Sequence, residues 1–540
     1  MSRRAEGERC EALHKNEPEP WTWRDIARTG ITVLIAAVAV ALATVAGATG
    51  STGARAAASG ASAPTLAIVV RDQTVLRAAP HASAQQQALL WQGDVVEVRG
   101  ERIDHLQVWD HARERGGFVD ASRVRRTSLA ADDTPELLAL VRFVHDAPGS
   151  ESLGIGFAAA ALKAAPADAL RGSVGAELFD AIGTMADRLA QRASNGAAAG
   201  TTTPNRAETA LAAHLEAVAR HGVAFVSFER DGAMRICYDG DAFRRVLANA
   251  ASDPAQRARA ALGLTQPECV DPALPASERQ RIDVWRADVL DRVDSAKLAP
   301  LWRGRVAMQR AGTWSAIAFQ RARRGEALAA DAAATRAIAE LAEVNRGELA
   351  DDDVATWHDA AVRVGASRWA ALRAPQGTSR AVRVVTAPGE PGQTCVFLVA
   401  ANDRDGDAPL AKRCTWGVVW TASAAVNREG NAVALAVQPL EAWRELWLFT
   451  KQGRDWAVQV LPPSTAAPAV GYAEFAGWVP GGKQVLVARE SRGAKGLKRN
   501  FEVVRLDTLG TERQAGDPAV LGAFVRWQDP GWKRETVSLR

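Results

Sequence analysis

An uncharged apolar stretch near the start of the chain, residues 31–48, constrains everything that follows it. Its eighteen residues, ITVLIAAVAVALATVAGA, are long enough to cross or nearly cross the hydrocarbon core of a bilayer. Lys15, Arg24 and Arg28 precede the stretch closely and few basic residues follow it, so the positive-inside bias places residues 1–30 in the cytoplasm. The sequence therefore predicts a signal peptide or a transmembrane anchor that exports the rest of the chain to the periplasm, free or tethered to the inner membrane.

Cysteine usage supports the same compartment. Of the five cysteines, one precedes the apolar stretch and the others form an even set in the exported part, as is typical of disulfide-bonded proteins. Cys395 and Cys414 flank the turn-rich segment NDRDGD symmetrically, which predicts a disulfide across a hairpin. Cys237 and Cys269 are then expected to form the second disulfide.

Length and composition set the scale of the fold. The chain has 540 residues, of which 47% are hydrophobic, enough for about two to four domains with cores of their own. The formal net charge of +4 is too small on this length to indicate a nucleic-acid partner. Several globular domains are therefore expected after a linker at residues 49–64.

The first domain is predicted at residues 65–128, where apolar and polar residues alternate between turn signals as in a small antiparallel barrel. Three segments carry a family resemblance: VLRAAP at 75–80, GDVVEV at 93–98 and GGFV at 116–119. In this order and spacing they resemble the landmarks of the bacterial SH3-like domain. The resemblance implies a module that binds cell-wall peptides or partner proteins and performs no chemistry.

Five side chains of this module are candidates for ligand contact: Arg77, Trp91, His105, Trp109 and Phe118. The sequence departs from the family pattern where a W-x-x-V step is common. His105-Leu106-Gln107-Val108 stands there, and Trp109 follows one position later. A barrel that serves only as a spacer against the next domain therefore stays open as an alternative.

A helical domain is predicted over residues 133–375. It opens at Thr134-Pro135, where an N-cap residue precedes a proline suited to the first turn. The segment 195–205 is predicted to be a loop, and Asp231-Gly232 indicates one β-hairpin within the helices. Three helices carry an apolar face that is expected to be buried: Leu178, Ile182, Met185 and Leu189; Ile282, Trp285, Val289 and Val293; and Val354, Trp357, Ala361 and Val364.

Residues 380–540 return to strand patterns between glycine-bearing turns, which predicts a β-rich domain. The segment FAGWVPGGK at 475–483 is echoed 49 residues later by FVRWQDPGWK at 524–533. The first copy resembles the W-x-P-D-G-K step of WD-repeat-like propeller blades, which implies blade-like repeats within residues 415–540. About three units of this length are fewer than a closed propeller usually has, so an incomplete propeller and a sandwich both stay open.

Catalytic and metal-binding motifs are almost absent. There is no H-E-x-x-H, G-x-S-x-G, C-x-x-C or phosphate loop, and the G-x-G-x-x-A run at 154–159 is predicted to begin a helix. His214 and His221 would lie about 10.5 Å apart along a helix, too far to share a zinc ion. Residues 402–407 lack the acidic twelfth ligand of a calcium loop and are predicted to form a hairpin tip. No metal or cofactor is expected.

Cys237 is the one nucleophile to consider, because it stands just before a predicted helix whose dipole would lower the pKa of its thiol. The only histidine that follows it is His358, on a predicted helix. The papain-like cell-wall peptidases that often accompany SH3-like modules present their histidine from a strand. A structural disulfide is therefore the preferred interpretation of Cys237.

These observations predict a multidomain α+β protein with an N-terminal signal or membrane helix, an SH3-like barrel, a large helical domain and a C-terminal antiparallel β domain. The expected function is non-catalytic: binding cell-wall fragments or an envelope protein in the periplasm. The alternative is an envelope hydrolase whose site is built from dispersed Asp, Glu or Cys residues. A third possibility is an assembly scaffold that needs no ligand.

Overall fold

The structure, a computed structural model, describes most of the chain after the predicted linker. The described residues are 65–197, 206–230, 232–372, 381–403, 408–465, 470–493 and 496–533. Within them, no helix combines the length and the apolar character needed to span a bilayer. The predicted leader, apolar stretch and linker, residues 1–64, lie outside these ranges. The fold is mixed α+β.

Seven antiparallel strands form the N-terminal sheet. They are β1 (Leu66–Val69), β2 (Thr74–Arg77), β3 (Gln86–Leu90), β4 (Val95–Arg102), β5 (His105–Asp110), β6 (Arg115–Asp120) and β7 (Val124–Thr127). Their order is β3-β2-β6-β5-β4-β1-β7. The alternation of the sequence is confirmed, since Leu76, Leu106 and Val119 are fully buried in one core while their neighbours face outward.

The N-terminal sheet is open, in contrast to the closed barrel that the pattern predicted. Its hydrogen-bonded path has two ends, at β3 and β7. Alternation of apolar and polar residues specifies which face of a strand is buried. Closure requires in addition that the two edge strands reach each other, which depends on strand tilt and stagger.

Eleven helices and one hairpin follow in the described chain. The helices are α1 (Thr134–His145), α2 (Glu151–Ala164), α3 (Ala167–Arg171), α4 (Ser173–Ala197), α5 (Arg206–Ala219), α6 (Asp241–Ala248), α7 (Pro254–Leu264), α8 (Ala276–Asp291), α9 (Pro300–Arg323), α10 (Ala327–Ala342) and α11 (Asp351–Ser367). The hairpin pairs β8 (Phe225–Arg230) with β9 (Ala233–Tyr238), as its Asp-Gly turn predicted. Short 3-10 turns connect several of these elements.

The apolar stripe of α4 is confirmed as core. All four of its predicted residues are buried, and Leu178, Met185 and Leu189 are completely so. The two glycines of the G-x-G-x-x-A run lie in α2 and are explained by packing. A Cβ at Gly154 would come within 2.3 Å of Met185 Sδ, and one at Gly156 within 3.0 Å of Gly93 Cα in the N-terminal sheet.

The stripe predicted for α8 is partly wrong. Val289 and Val293 are buried, but Trp285 is 37% exposed. The buried face carries Asp283 and Arg286 instead, and these two pair at 2.7 Å. Two charged residues can lie in a core when they form an ion pair with each other. The spacing of apolar residues along a helix does not reveal such a pair. On α11, Trp357 and Val364 are buried as predicted, and Val354 is exposed.

The C-terminal region contains two sheets. Strands β10 (Val382–Pro388), β11 (Thr394–Ala400) and β12 (Ala411–Thr415) form the smaller one. The larger has eight strands: β13 (Val418–Val426), β14 (Ala432–Leu440), β15 (Trp443–Gln452), β16 (Asp455–Leu461), β17 (Gly471–Val479), β18 (Gln484–Gly493), β19 (Gly496–Arg505) and β20 (Thr511–Ala515). Helix α12 (Gly522–Trp527) packs against β17. All pairings are antiparallel except a two-residue parallel contact between β15 and β17.

The two copies of the internal echo have different structures. Phe475 and Trp478 lie on strand β17, whereas Phe524 and Trp527 lie on helix α12. Strands β13–β20 also belong to one continuous sheet rather than to separate blades. The echo is therefore a similarity of sequence between two unlike elements, and the resemblance to propeller blades stays a prediction.

Both predicted cysteine pairs lie at bonding distance. Cys395 and Cys414 are opposed in the register of β11 and β12, so the hairpin argument identified the correct partners. Cys237 and Cys269 form the second disulfide, with Cα atoms 5.8 Å apart. This bridge ties the β8–β9 hairpin to the turn that follows α7.

Candidate binding site on the N-terminal sheet

Four of the five predicted ligand-contact residues lie on one outward face of the N-terminal sheet. Cross-strand partners in a sheet share a face, and Phe118 of β6 is opposed to Arg77 of β2. On the next strand, β5, His105 and Trp109 alternate with the buried Leu106 and Val108 and therefore point outward. We call Arg77, His105, Trp109 and Phe118 the aromatic face.

Trp109 lies flat on this face because its cross-strand partner is a glycine. Gly116 is opposed to Trp109, and a Cβ there would come within 3.1 Å of the indole ring. From β4, the Arg99 guanidinium covers the ring at 4.6 Å from its centroid, a cation–π contact. The neighbouring Gly117 makes room on the opposite side of β6, where a Cβ would collide with Leu76. Gly116 and Gly117 therefore make room for side chains on opposite faces of the sheet, Gly116 for Trp109 and Gly117 for Leu76.

Phe118 and Arg77 extend the face toward the edge of the sheet. Phe118 is half-buried and is also opposed to the exposed Gln107 of β5. Arg77 donates from Nη1 to the carbonyl oxygen of Ala84 at 2.9 Å, so its guanidinium is held beside the loop that leads to β3. The face therefore presents two aromatic rings with an arginine at each end, Arg77 and Arg99.

Acidic groups border the face on the far side of Trp109. Glu97 of β4 is opposed to Trp109, and hydrogen bonds from Arg99 and His111 hold the pKa of its carboxyl below the usual range. His105 pairs with Asp104 at 2.6 Å and is opposed to Asp120. The surface thus combines apolar rings with both signs of charge, which suits a polar ligand that also carries apolar groups.

Trp91 lies elsewhere. It is only 8% exposed and contacts the ring of His214 on α5 edge-on, with centroids 6.2 Å apart. The turn it belongs to docks on the helices: Ser152 Oγ donates to the Gln92 carbonyl oxygen at 2.6 Å, and His221 donates to that of Gly93 at 2.8 Å. Trp91 is therefore part of the junction between sheet and helices and not of the aromatic face.

The other residues singled out in the sequence have structural partners. His214 contacts Asp72 at 2.8 Å, and the Cys237 sulfur is engaged in its disulfide. His358 packs against Trp357 with centroids 5.0 Å apart, and burial lowers the pKa of its imidazole. The described chain brings no catalytic cysteine and histidine together.

Metal-binding groups are not clustered in the described parts of the chain: no three His, Cys, Asp or Glu side chains there lie close enough to hold one ion. The calcium-like segment at 402–407 is described only up to Asp403. Strands β11 and β12 do pair antiparallel on either side of it.

Asp187 is a half-buried carboxyl that sequence reasoning missed. Asp187 of α4 borders a cavity of about 370 Å³ that reaches Gln309 and Trp302 of α9. Burial raises the pKa of Asp187 to about 6, and the nearby Glu268 adds to this, although the Gln266 amide donates to the carboxylate and opposes the shift. Only the tertiary packing brings these residues together, since they come from separate helices and turns. We call this space the Asp187 cavity.

In comparisons with known proteins, no family model, no curated protein and no solved structure matches the chain.

Proposed function

We propose that this protein is an exported, non-catalytic binding protein of the cell envelope that contacts its ligand through the aromatic face. The ligand is a fragment of the cell wall or an envelope protein. The observation that carries the proposal is the convergence of Arg77, His105, Trp109 and Phe118 on one outward surface.

Three features support the proposal. The resemblance of residues 65–128 to the bacterial SH3-like domain implies a binding module. The aromatic face is directed away from the buried core of its sheet, whereas Trp91 and its turn occupy the junction with the helices. The two disulfides agree with export to an oxidising compartment, and the apolar segment 31–48 would provide the route.

The test is retention of the purified full chain on insoluble cell-wall material and on immobilised envelope extract. We expect Trp109→Ala and Phe118→Ala each to weaken retention by about tenfold or more, because buried aromatic anchors dominate binding energy. Trp416→Ala is the matched control, since Trp416 is an exposed tryptophan outside the N-terminal sheet. Equal retention of all four proteins, or no retention of the parent, would contradict the proposal.

A second candidate function, hydrolysis of wall material, is favoured by Asp187. A carboxyl that keeps its proton near pH 6 can act as a general acid, and it borders a cavity large enough for part of a ligand. If this function holds, the protein releases soluble fragments from purified wall, and Asp187→Asn abolishes the release. Release that is absent from the parent, or unchanged in Asp187→Asn, would exclude this role for Asp187.

A further inference from the structure

A second cavity, of about 380 Å³, lies where helices α8 and α9 meet the turn between β14 and β15. It is separate from the aromatic face and from the Asp187 cavity. Its floor is apolar: Phe319 of α9 is 5% exposed, and Pro439 and Leu440 at the end of β14 close one side. We call it the arginine cavity because three arginines border it: Arg279, Arg323 and Arg324.

Two of these arginines form no salt bridge with any described residue. Arg324 is held by Glu326 through two hydrogen bonds of 2.7 and 2.9 Å. By contrast, neither Arg279 nor Arg323 has a carboxylate oxygen within 4.0 Å among the described residues. Among the described residues that line the cavity one is a carboxylate, Glu441; it pairs with Arg363 at 3.4 Å, and Arg279 also acts on it electrostatically from beyond salt-bridge distance. The cavity therefore carries an excess of positive charge.

Two buried polar atoms on the cavity wall have no hydrogen-bond partner in the described structure: Arg279 Nε and Gln320 Oε1. The amide nitrogen of Gln320 is used, since it donates to Asp283 at 2.6 Å. Buried polar atoms of native proteins nearly always have partners, and each exception calls for an explanation. An oxyanion in the cavity supplies an acceptor for Arg279 Nε; Gln320 Oε1 is itself an acceptor and takes no part in binding an anion.

The first turn of α8 adds to the positive electrostatic potential of the arginine cavity. Ala276 and Ser277 border the cavity, and no side chain caps this end of the sixteen-residue helix. The first backbone N–H groups of a helix have no intrahelical acceptor, and the helix dipole favours negative charge there. This feature reinforces the site that Arg279 and Arg323 define.

We propose that the arginine cavity binds an oxyanion, a carboxylate or a phosphate, that is carried on an apolar group. The guanidinium of Arg279 or Arg323 pairs with the oxyanion in the two-pronged geometry that arginine favours with both groups. The apolar part of the ligand lies against Phe319 and Leu440. This site goes beyond the aromatic face and does not depend on it.

The test is isothermal titration of the full chain with two probes, N-acetyl-phenylalanine and phenyl phosphate. Each probe has a neutral counterpart, N-acetyl-phenylalanine amide and phenol. We expect at least one anion to bind saturably and its neutral counterpart to bind at least tenfold more weakly. The preferred anion identifies the oxyanion. Absence of saturable binding by both anions, or equal binding of anion and neutral counterpart, overturns the proposal.

Variants locate the binding. Arg279→Gln and Arg323→Gln are each expected to weaken the preferred anion at least tenfold. Arg323 is exposed, so its variant provides the test even if Arg279→Gln does not fold. Arg281→Gln is the matched control on α8, since Arg281 does not border the cavity and is 78% exposed. Anion binding that is unchanged in Arg323→Gln overturns the assignment. Trp109→Ala should leave anion binding intact, which separates this test from that of the aromatic face.

Discussion

The helices meet the two large sheets in different ways. At the N-terminal junction, Asp94 is buried, but its partners Arg113 and Arg220 keep 25% and 28% of their side chains exposed. At the C-terminal junction, Glu474 of β17 lies between Arg444 of β15 and Arg368, which follows α11, and all three are at least 95% buried. The first junction is a partly solvated ion cluster, and the second is a fully desolvated one.

The junctions also differ in the groups that can titrate. Histidines take part on the N-terminal side: His214 pairs with Asp72, and His221 donates to a backbone carbonyl of the sheet. In the buried C-terminal cluster the cations are arginines, which keep their charge at all accessible pH values; one histidine near this sheet, His358 of α11, has Glu490 and Arg499 as electrostatic neighbours. The comparison indicates that the N-terminal junction is the weaker and the more pH-dependent of the two.

The largest expected effect is that of Glu474→Gln. The substitution removes the buried carboxylate that both guanidiniums contact, and breaking such a buried ion pair typically costs about 3–5 kcal/mol of unfolding free energy. Urea unfolding measures it, and Glu445→Gln on the adjacent strand β15 serves as the control, because Glu445 is not between the arginines. A loss below about 1 kcal/mol, the value of an exposed pair, would contradict the described burial.

Removal of a disulfide is expected to have the next largest effect on the free energy of unfolding. Chain-entropy arguments give about 4 kcal/mol for Cys237→Ala/Cys269→Ala and about 3 kcal/mol for Cys395→Ala/Cys414→Ala, since the bridges span 32 and 19 residues. Neither bridge connects a large sheet to the helices. We therefore expect each loss to add to that of Glu474→Gln, as distant sites usually do. Strong non-additivity would show that the bridges take part in the junctions.

Asp94→Asn should lower the free energy of unfolding by less, about 1–3 kcal/mol. Water reaches both arginines, and each keeps a second carboxylate partner, Asp110 for Arg113 and Glu216 for Arg220. Measured under the same urea conditions, the difference between Asp94→Asn and Glu474→Gln tests the comparison directly. If Asp94→Asn is as costly as Glu474→Gln, the two junctions are equivalent and the comparison fails.

The smallest effect is the pH dependence that comes from His221. Burial lowers the pKa of its imidazole below 6.5, although the hydrogen bond to Gly93 opposes this. Below pH 6.5 the unfolded chain therefore binds more protons than the folded one, and stability is lost as pH falls from there toward the folded pKa. Thermal unfolding between pH 7 and pH 5 should show a smaller decline in His221→Gln than in the parent.

The titration of Asp187 changes the stability in the opposite direction from that of His221. The His221 experiment therefore needs a control for Asp187. Its pKa is raised from 3.8 to about 6, so the stability it contributes is present below pH 3.8 and is lost as pH rises through 6. Asp187→Asn removes this contribution. A decline of stability toward acid pH that is identical in His221→Gln and the parent, both carrying Asp187→Asn, would exclude His221 as its source.

Much of the fold could be predicted where local rules act alone. The α4 stripe, the β8–β9 hairpin and the register of Cys395 and Cys414 follow from helical period, turn chemistry and strand pairing. The aromatic face was predictable in part, because strand alternation places His105 and Trp109 on the same side of β5. The position of Trp91 was not predictable, because nothing near it in the sequence shows that its turn docks on α2 and α5.

The cavities were beyond sequence reasoning. Asp187, Gln266 and Gln309 are far apart along the chain, and so are Arg279, Arg323 and Glu441. Their proximity depends on how the helices pack against each other and on the turn between β14 and β15. The buried pair of Asp283 and Arg286 on α8 belongs to the same class, because charged residues read as surface until their partners are known.

The sequence by itself determined the secondary structure in outline, the disulfide partners and the outward side of the N-terminal strands. These depend on interactions within one element or between neighbours in the chain, where the period of apolar residues and the turn residues carry the information. The tertiary structure alone decided which charges are buried, where the cavities lie and which sheet edges remain open. Those features arise from contacts between distant segments, whose geometry no local pattern records.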